Sequence, residues 1–429
     1  MGDRRVAVVG AGPAGLAALR ALTAHGLDAV AFERGGRVGG VWTLEDRPTA
    51  AYRSLHLITS RPRTEFAEHP MPAGTPDYPA RDTVGRWLED YVERFDLADR
   101  IRLDAEVTQA RRQPQGGWEV GGERFTDLVV ASGHNDVPAW PSPPYPGTFA
   151  GRQLHALDFG VGRDFEDQNV LVVGMGNSAM DIATDVSHFA RRTFLSVRRG
   201  SWVIPKRLLG QPADQVIRPW AAVHVPWRLR QPIAQLLLKL TVGRPQDVGL
   251  PAPDGGLFQS HPTISDTIVS RIVHGKITPK PAIGALEPDG VRFVDGTGEP
   301  VDAIVWCTGY RVAIPFLAPE LLGGDAQMLR LYKRILHLEH PDLFFIGLMQ
   351  STGSAFPILE RQSQLLAEHL TGRWAPPSRT RMRADGELRF RRARARWGDH
   401  GRPTMRVDFD GYMHELAVEL ERGRRRVAA

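Results

Sequence analysis

Residues 6–22 read VAVVGAGPAGLAALRAL. Apolar residues run into a glycine turn, and an Ala/Leu-rich stretch with helical spacing follows. Gly10, Gly12 and Gly15 form GxGxxG. The first glycine permits a tight turn. The second lets backbone approach a pyrophosphate, and the third lets the helix pack close to the strand. The helix N-terminus favours phosphate charge. DAVAFERG then predicts a second strand, ending in Glu33. A carboxylate there accepts hydrogen bonds from ribose hydroxyls and repels a 2′-phosphate. The stretch predicts a site for a dinucleotide without a 2′-phosphate. Pro13 and Ala14 lie in its loop and Arg34 beside its acid.

The pattern recurs in NVLVVGMGNSAMDIATDV (169–186), where Gly174, Gly176 and Ala179 form GxGxxA. The strand after it, TFLSVRRGSW, has no acid at its end but Arg198 and Arg199. Guanidinium groups hold phosphate through paired hydrogen bonds. The second loop therefore predicts a site for NADPH. FTDLVVASGH (125–134) and VDAIVWCTGY (301–310) predict strands that close the two nucleotide domains. Each ends in a small-Gly turn, Thr308-Gly309 in the second, where backbone can pass close to a cofactor. The chain order is first nucleotide domain, second nucleotide domain, return to the first.

Composition sets the frame. A chain of 429 residues with 42% hydrophobic and 24% charged residues suits two to three soluble globular domains. Net charge is +5, but the basic residues are spread along the chain and no nucleic-acid-binding signature accompanies them. No nucleic-acid partner is expected. The histidines are scattered without paired ligand spacing, so no metal site is expected. The single cysteine, Cys307, excludes an internal disulfide and a CxxC redox pair. MGDRRVAVVGAG leads straight into a strand without a signal peptide. The longest apolar run, PIAQLLLKLTVG (232–243), is interrupted by Lys239 and is too short to span a bilayer. No transmembrane segment is expected, and the expected location is the cytoplasm.

TFAGRQLHALDF (148–159) narrows the reading. Phe149, Gly151, His155 and Phe159 match FxGxxxHxxx(Y/F), just before the second glycine loop. In this the chain resembles the flavin-containing monooxygenases. GGVW (39–42), GNSAMDIA, HPTISD, HGKI, DAIVWCTGY and FIGLMQSTGSAFPILERQ also look like segments of that family, and the resemblance spans about residues 5–375. It implies an α/β fold with two Rossmann-like dinucleotide-binding domains, the NADPH domain inserted into a discontinuous FAD domain. The expected spans are 1–160 and 309–375 for FAD, 161–308 for NADPH with an insertion at 205–260, and 376–429 for an Arg-rich helical extension that caps the first domain and has a frayed end. The resemblance also assigns Gly40, Val41, Trp42, Tyr52, Asn177, Ser178, Asp181 and Gln350 to the cofactor sites.

The implied chemistry is oxygenation. NADPH reduces the flavin, dioxygen adds at its carbon 4a, and the hydroperoxide passes its distal oxygen to a nitrogen or sulfur of a small molecule. Baeyer–Villiger oxygenation of a ketone is the alternative. The signature of those relatives ends in Trp and then Pro or Asp, where this chain has Phe159-Gly160. The signature histidine, His155, is expected to be structural. A flavin disulfide reductase would need two redox cysteines. A nucleotide-binding redox sensor would bind NADPH without turnover.

One stretch departs from the family pattern. YRSLHLITS (52–60) aligns with Y-x-S-x-x-(S/T)-N, which puts Leu57 at the hydroxyl position and Ile58 at the Asn position. In the family that Asn lies beside the flavin and NADP⁺ and is implicated in oxygenation, and Ile has no amide to offer. Three readings stay open. Thr59 or Ser60 supplies the lost hydrogen bond. Otherwise the pocket is drier, suiting an apolar substrate or altered oxygenation chemistry, or the enzyme is a poorly coupled NADPH oxidase. WRLRQPIAQLLLKL, within 205–260, predicts an amphipathic helix that covers an access channel, pairs in a homodimer, touches a membrane surface or is plain packing.

Overall fold

The computed structural model describes residues 4–259, 262–398 and 405–428. The chain forms two compact units. The first comprises Met1–Asp46, Arg61–His134 and Val312–Ala429, and the second Arg47–Ser60 and Asn135–Arg311. The fold is α/β, with a parallel sheet at the centre of each unit.

In the first unit the strand Arg5–Val9 lies between Asp28–Phe32 and Asp127–Val130, parallel to both. Ile101–Arg102 extends one side and Leu343–Phe345 the other, again in parallel. An antiparallel edge, Leu336–His337 and Leu331–Tyr332, completes the sheet. Val6, Ala7 and Val8 are wholly buried. A parallel strand covered on both faces is apolar at successive positions, which is why VAVV does not alternate. The helix Pro13–Ala24 crosses from the first strand to the second and buries Leu16, Leu19 and Leu22. The helix Phe356–Leu370 packs along it.

The second unit repeats the plan. Thr278–Lys280, Arg192–Ser196, Asn169–Val173, Ala303–Trp306 and Arg152–His155 pair in that order, all parallel. The runs 125–134 and 301–310 thus supply the strands beside the two glycine-loop strands. Both crossover helices start directly at the glycines.

The region 205–260 leaves this second sheet between two short strands, Val203–Ile204 and Thr263–Ile264, which pair in parallel. Inside it are a hairpin of Arg207–Leu208 with Gln211–Pro212 and the helices Ala213–Val216, Pro219–His224 and Trp227–Thr241. Leu208, Leu238 and Leu257 form a small core of their own.

The expected frayed end is corrected by the structure. A helix runs from Phe409 to Ala428, with Leu416 and Leu420 buried. Near its end Arg424 donates to Glu368 at 2.7 Å, and Arg426 donates to the Ala375 carbonyl at 2.8 Å. Trp374 Nε1 donates to the Glu419 carbonyl at 2.9 Å. Buried leucines and these bonds hold the helix where sequence position alone predicted fraying.

Candidate active site

The first cradle is built on Gly10. Its φ is +103°, and an added Cβ would lie 2.7 Å from the Ala131 carbonyl oxygen. Gly15 is tighter still: a Cβ there would come within 1.8 Å of the Gly10 carbonyl oxygen. Helix and turn therefore touch through backbone, as the third glycine of the motif requires. Gly12, the N-cap of the helix, has no side chain to offer its amides, and the first turn holds no acid. The first-turn N–H groups are left for an outside acceptor. A Cβ on Gly12 would stand 3.3 Å from the Gly40 Cα, so the Gly40–Trp42 turn backs onto the glycine loop. The Trp42 ring meets Phe356 edge-on, and Gly347 lies against Ala14.

Glu33 is buried at the end of its strand. One carboxylate oxygen accepts from the Ala11 amide at 2.8 Å and the other from the Gly35 amide at 3.0 Å. The acid therefore fixes the loop, and each oxygen keeps a second lone pair. Arg34 beside it is exposed. Sequence reasoning missed Ser132. Its hydroxyl oxygen is buried without a hydrogen-bond partner, and its Cα lies 3.1 Å from the position of a Gly10 Cβ. The signal available was the ASGH turn, which was read for its glycine alone. Gln350 pairs through its amide with the Met405 carbonyl at 2.7 Å, which joins it to the C-terminal region.

The second cradle sits in the other unit. Gly174 has φ +141°, with the Cys307 carbonyl oxygen 2.6 Å from an added Cβ. Gly176 caps the helix Asn177–Val186 without a side chain, and nothing lies within 4 Å of its would-be Cβ. Backbone at this helix start is open to a ligand. Asn177 Oδ1 accepts from the Ile264 amide at 2.7 Å, which anchors the loop, and Ala179 is fully buried. Ser178 occupies the first turn. Arg198 and Arg199 follow the neighbouring strand, whose Ser196 is in register with Val173, so both arginines leave the sheet at the glycine-loop end. Both are exposed. Arg199 reaches Asp254 at 3.8 Å, and Arg198 has no ion pair among the described residues.

Tyr52 and Asp181 meet each other. The buried Tyr52 hydroxyl donates to Asp181 Oδ2 at 3.0 Å, and Ser54 donates to Asp185 Oδ2 at 2.7 Å, one helical turn on. Two hydroxyls thus fasten the 52–54 stretch along the Asn177–Val186 helix. Burial pushes the Asp181 carboxyl up to about 6, against the opposing pull of the Tyr52 hydrogen bond and Lys206. Thr308 Oγ1 donates to the Ala139 carbonyl at 2.6 Å, and the Gly309 carbonyl accepts from the Ala139 amide at 2.9 Å.

His155 is wholly buried at the end of its strand. Its Nδ1 accepts from the Leu157 amide at 3.1 Å, and its ring packs edge-on against Tyr310. Burial pulls its pKa down, with the Gly309 backbone opposing. A neutral, packed imidazole fits a structural part.

Along the departing stretch, Leu57 is buried and Ile58 half-buried. Thr59 is half-buried too. Ser60 is wholly buried: its amide donates to Asp214 Oδ2 at 2.7 Å, and its hydroxyl accepts from Gln215 Nε2 at 3.1 Å. The 205–260 region therefore reaches back to hold the end of this stretch, a pairing across some 150 positions that local sequence does not signal. In HPTISD, His261 lies outside the described residues.

The chain is similar to known proteins in sequence and in fold. The model of the family described as flavin-binding monooxygenase-like matches residues 3–423. The mouse protein named dimethylaniline monooxygenase [N-oxide-forming] 2 is 31% identical over 442 residues, covering 97% of this chain and 82% of the relative. Human flavin-containing monooxygenase 5 is 30% identical, with 97% and 83% covered. Among solved structures, S-allyl-L-cysteine S-oxygenase from Allium sativum superposes with a TM-score of 0.72 at 25% identity, covering 97% of this chain and 88% of that one.

Proposed function

The chain belongs to the flavin-binding monooxygenase-like family, and from that premise we propose that it transfers one oxygen atom from O2 to a nitrogen or sulfur centre of a small molecule. It is an NADPH-dependent flavin monooxygenase that uses FAD and NADPH. The observation that carries the division of labour is the contrast between the two cradles. One glycine loop ends its second strand in the buried Glu33, the other in the exposed pair Arg198 and Arg199. A carboxylate disfavours a 2′-phosphate and guanidinium groups favour it, so FAD is assigned to the first unit and NADPH to the second.

In the first unit, the uncapped N-terminus of Pro13–Ala24 would take the pyrophosphate, Glu33 a ribose, and Ser132 Oγ a polar group of the cofactor. In the second, the Gly176 backbone and the first turn of Asn177–Val186 would take the pyrophosphate, with the arginines on the 2′-phosphate. Tyr52 and Ser54 hold this helix in place. When bound, the flavin supplies the oxygen chemistry, drawing hydride from NADPH. The protein's share is to hold the two nucleotides and exclude water.

The choice of nitrogen or sulfur rests on three supports. The mouse relative is named as N-oxide-forming, the Allium protein as an S-oxygenase, and the signature here ends in Phe159-Gly160. Supplying a tertiary amine, a sulfide and a ketone in parallel tests this. N-oxide and sulfoxide are expected, and an ester or lactone as the main product contradicts the proposal. Ile58 favours a second reading. With no amide at that position, part of the NADPH consumed would yield hydrogen peroxide, because a lost hydrogen bond to a charged group costs about 1.5–3 kcal/mol.

A further inference from the structure

The turn Tyr332–Ile335 closes the antiparallel edge of the first sheet, and its Ile335 amide donates to the Tyr332 carbonyl at 3.0 Å. The two central residues, Lys333 and Arg334, have φ of +49° and +55°. Turns of this kind favour Asn and Gly. Here they hold two long cations, and both are buried, Arg334 with 4% exposure. The helix Arg379–Trp397 packs against the strand Leu331–Tyr332 beside the turn.

One cation in this cluster is left over. Lys333 Nζ reaches Asp385 at 2.9 Å and Glu415 at 2.5 Å. Arg389 pairs with the same Glu415, and Arg330 pairs with Glu387. Four cations thus share three carboxylates. Arg334 has no ion pair among the described residues, and its Nε is buried without a hydrogen-bond partner. An uncompensated buried charge is strongly unfavourable. Burial and the Arg389 charge pull the Arg334 pKa down to about 9. The guanidinium therefore keeps its charge at neutral pH.

Arg334 lines a small pocket with Arg330, Arg389, Leu331, Gly386 and Phe390, and none of the three carboxylates lines it. The Arg389 Nε is also buried without a partner. Gly386 lies inside the helix, where glycine is unfavourable. Its φ is not positive, so the backbone does not call for glycine. Nothing lies within 4 Å of its would-be Cβ, and the glycine leaves open space on the pocket wall. The pocket has about 10 Å³ of open volume, enough for one water-sized particle. A water there would leave the extra charge in place, and a carboxylate or phosphate group is too large. A single halide ion is close to water in size and neutralises the charge.

We propose that the pocket between the Lys333-Arg334 turn and the helix Arg379–Trp397 binds one chloride-sized monovalent anion, held by Arg334 and Arg389. The site lies within the first unit and does not depend on the oxygenation chemistry. The test is thermal melting of the full-length, FAD-loaded protein in sodium gluconate, with chloride exchanged for gluconate at constant ionic strength. The melting temperature is expected to rise with chloride and to level off, by about 2 °C at about ten times the half-saturating concentration. Bromide is expected to replace chloride, and acetate is not. Arg334→Met and Gly386→Ala are each expected to flatten the response, the first by removing the charge and the second by placing a methyl in the pocket. Gly386→Ala also raises helix propensity, so it decides the matter if Arg334→Met fails to fold. Crystals soaked in bromide are expected to show an anomalous peak beside the Arg334 and Arg389 guanidinium groups. The proposal is overturned if chloride does not shift the wild-type melt, or if acetate or phosphate acts as well as chloride. It also falls if Gly386→Ala responds as the wild type does, or if no bromide peak stands in that pocket.

Discussion

At the scale of single residues, the two proposed cofactor sites differ mainly in what ends a strand. Arg198 and Arg199 are exposed beside the second glycine loop, and no acid stands where Glu33 stands in the first. Replacing both arginines with alanine is expected to raise KM for NADPH by about 10- to 150-fold while leaving KM for NADH nearly unchanged. Steady-state kinetics with both nucleotides check this, and an equal rise for both would remove the arginines from the 2′-phosphate. Asp181 gives a pH prediction. Its carboxyl is raised to about 6 by burial. The folded state therefore binds the proton more tightly than the unfolded chain, and this group's contribution to stability falls as pH rises from about 4 towards 6. Melting curves should show the wild type losing stability across that window relative to Asp181→Asn, and parallel curves would contradict the assignment. Among the residues, those whose backbone must do something unusual were legible in the sequence. Gly10 and Gly174 announce positive φ because side chains are excluded there. Nothing in the sequence pairs Tyr52 with Asp181, 129 positions away. Ser60's attachment to Asp214 and Gln215 was not legible, because nothing local marks a bond across so much chain.

At the scale of elements, the glycine loops separate packing from ligand approach. Gly15 has the Gly10 carbonyl in the space of its Cβ, whereas Gly176 has open space. Gly15→Ala is expected to destabilise the first unit by about 1–3 kcal/mol or more and to strip FAD, because backbone cannot yield as a side chain does. Gly176→Ala is expected to leave stability within about 0.5 kcal/mol of wild type, and to raise KM for NADPH by crowding the pyrophosphate. Thermal melts, flavin absorbance and NADPH kinetics on both variants distinguish the two roles. Equal destabilisation would contradict the division. The strands and crossover helices at these loops were legible because a parallel βαβ unit writes itself as apolar run, turn and helix within about thirty residues. The short pairs, such as Val203–Ile204 with Thr263–Ile264, were not, since two residues carry no periodicity and the partner lies sixty positions away. The C-terminal helix was legible as a helix over the first domain, but its anchors were not. Glu368 lies in the helix Phe356–Leu370 and Trp374 in the segment just after it.

At the scale of the whole molecule, each glycine loop lies in its own parallel-sheet unit. The first is assembled from three stretches and the second from two. The 47–60 stretch folds with the second unit, fastened by Tyr52, Ser54 and Ser60. Leu57 and Ile58 are thereby held in the second unit, the one proposed to bind NADPH. The reaction is the part the motifs state least directly, because the chemistry belongs to the cofactor and the substrate pocket to loops without a motif. Its most direct test is the stoichiometry of turnover: NADPH consumed, oxygenated product formed and hydrogen peroxide released, measured together with a sulfide and with a tertiary amine, for the wild type and for Ile58→Asn. Sulfoxide or N-oxide is expected to account for much of the NADPH consumed. Any peroxide released by the wild type is expected to fall by about 10-fold or more when the amide is restored. NADPH oxidation that yields only peroxide in both proteins, or no flavin-dependent NADPH oxidation at all, would contradict the account.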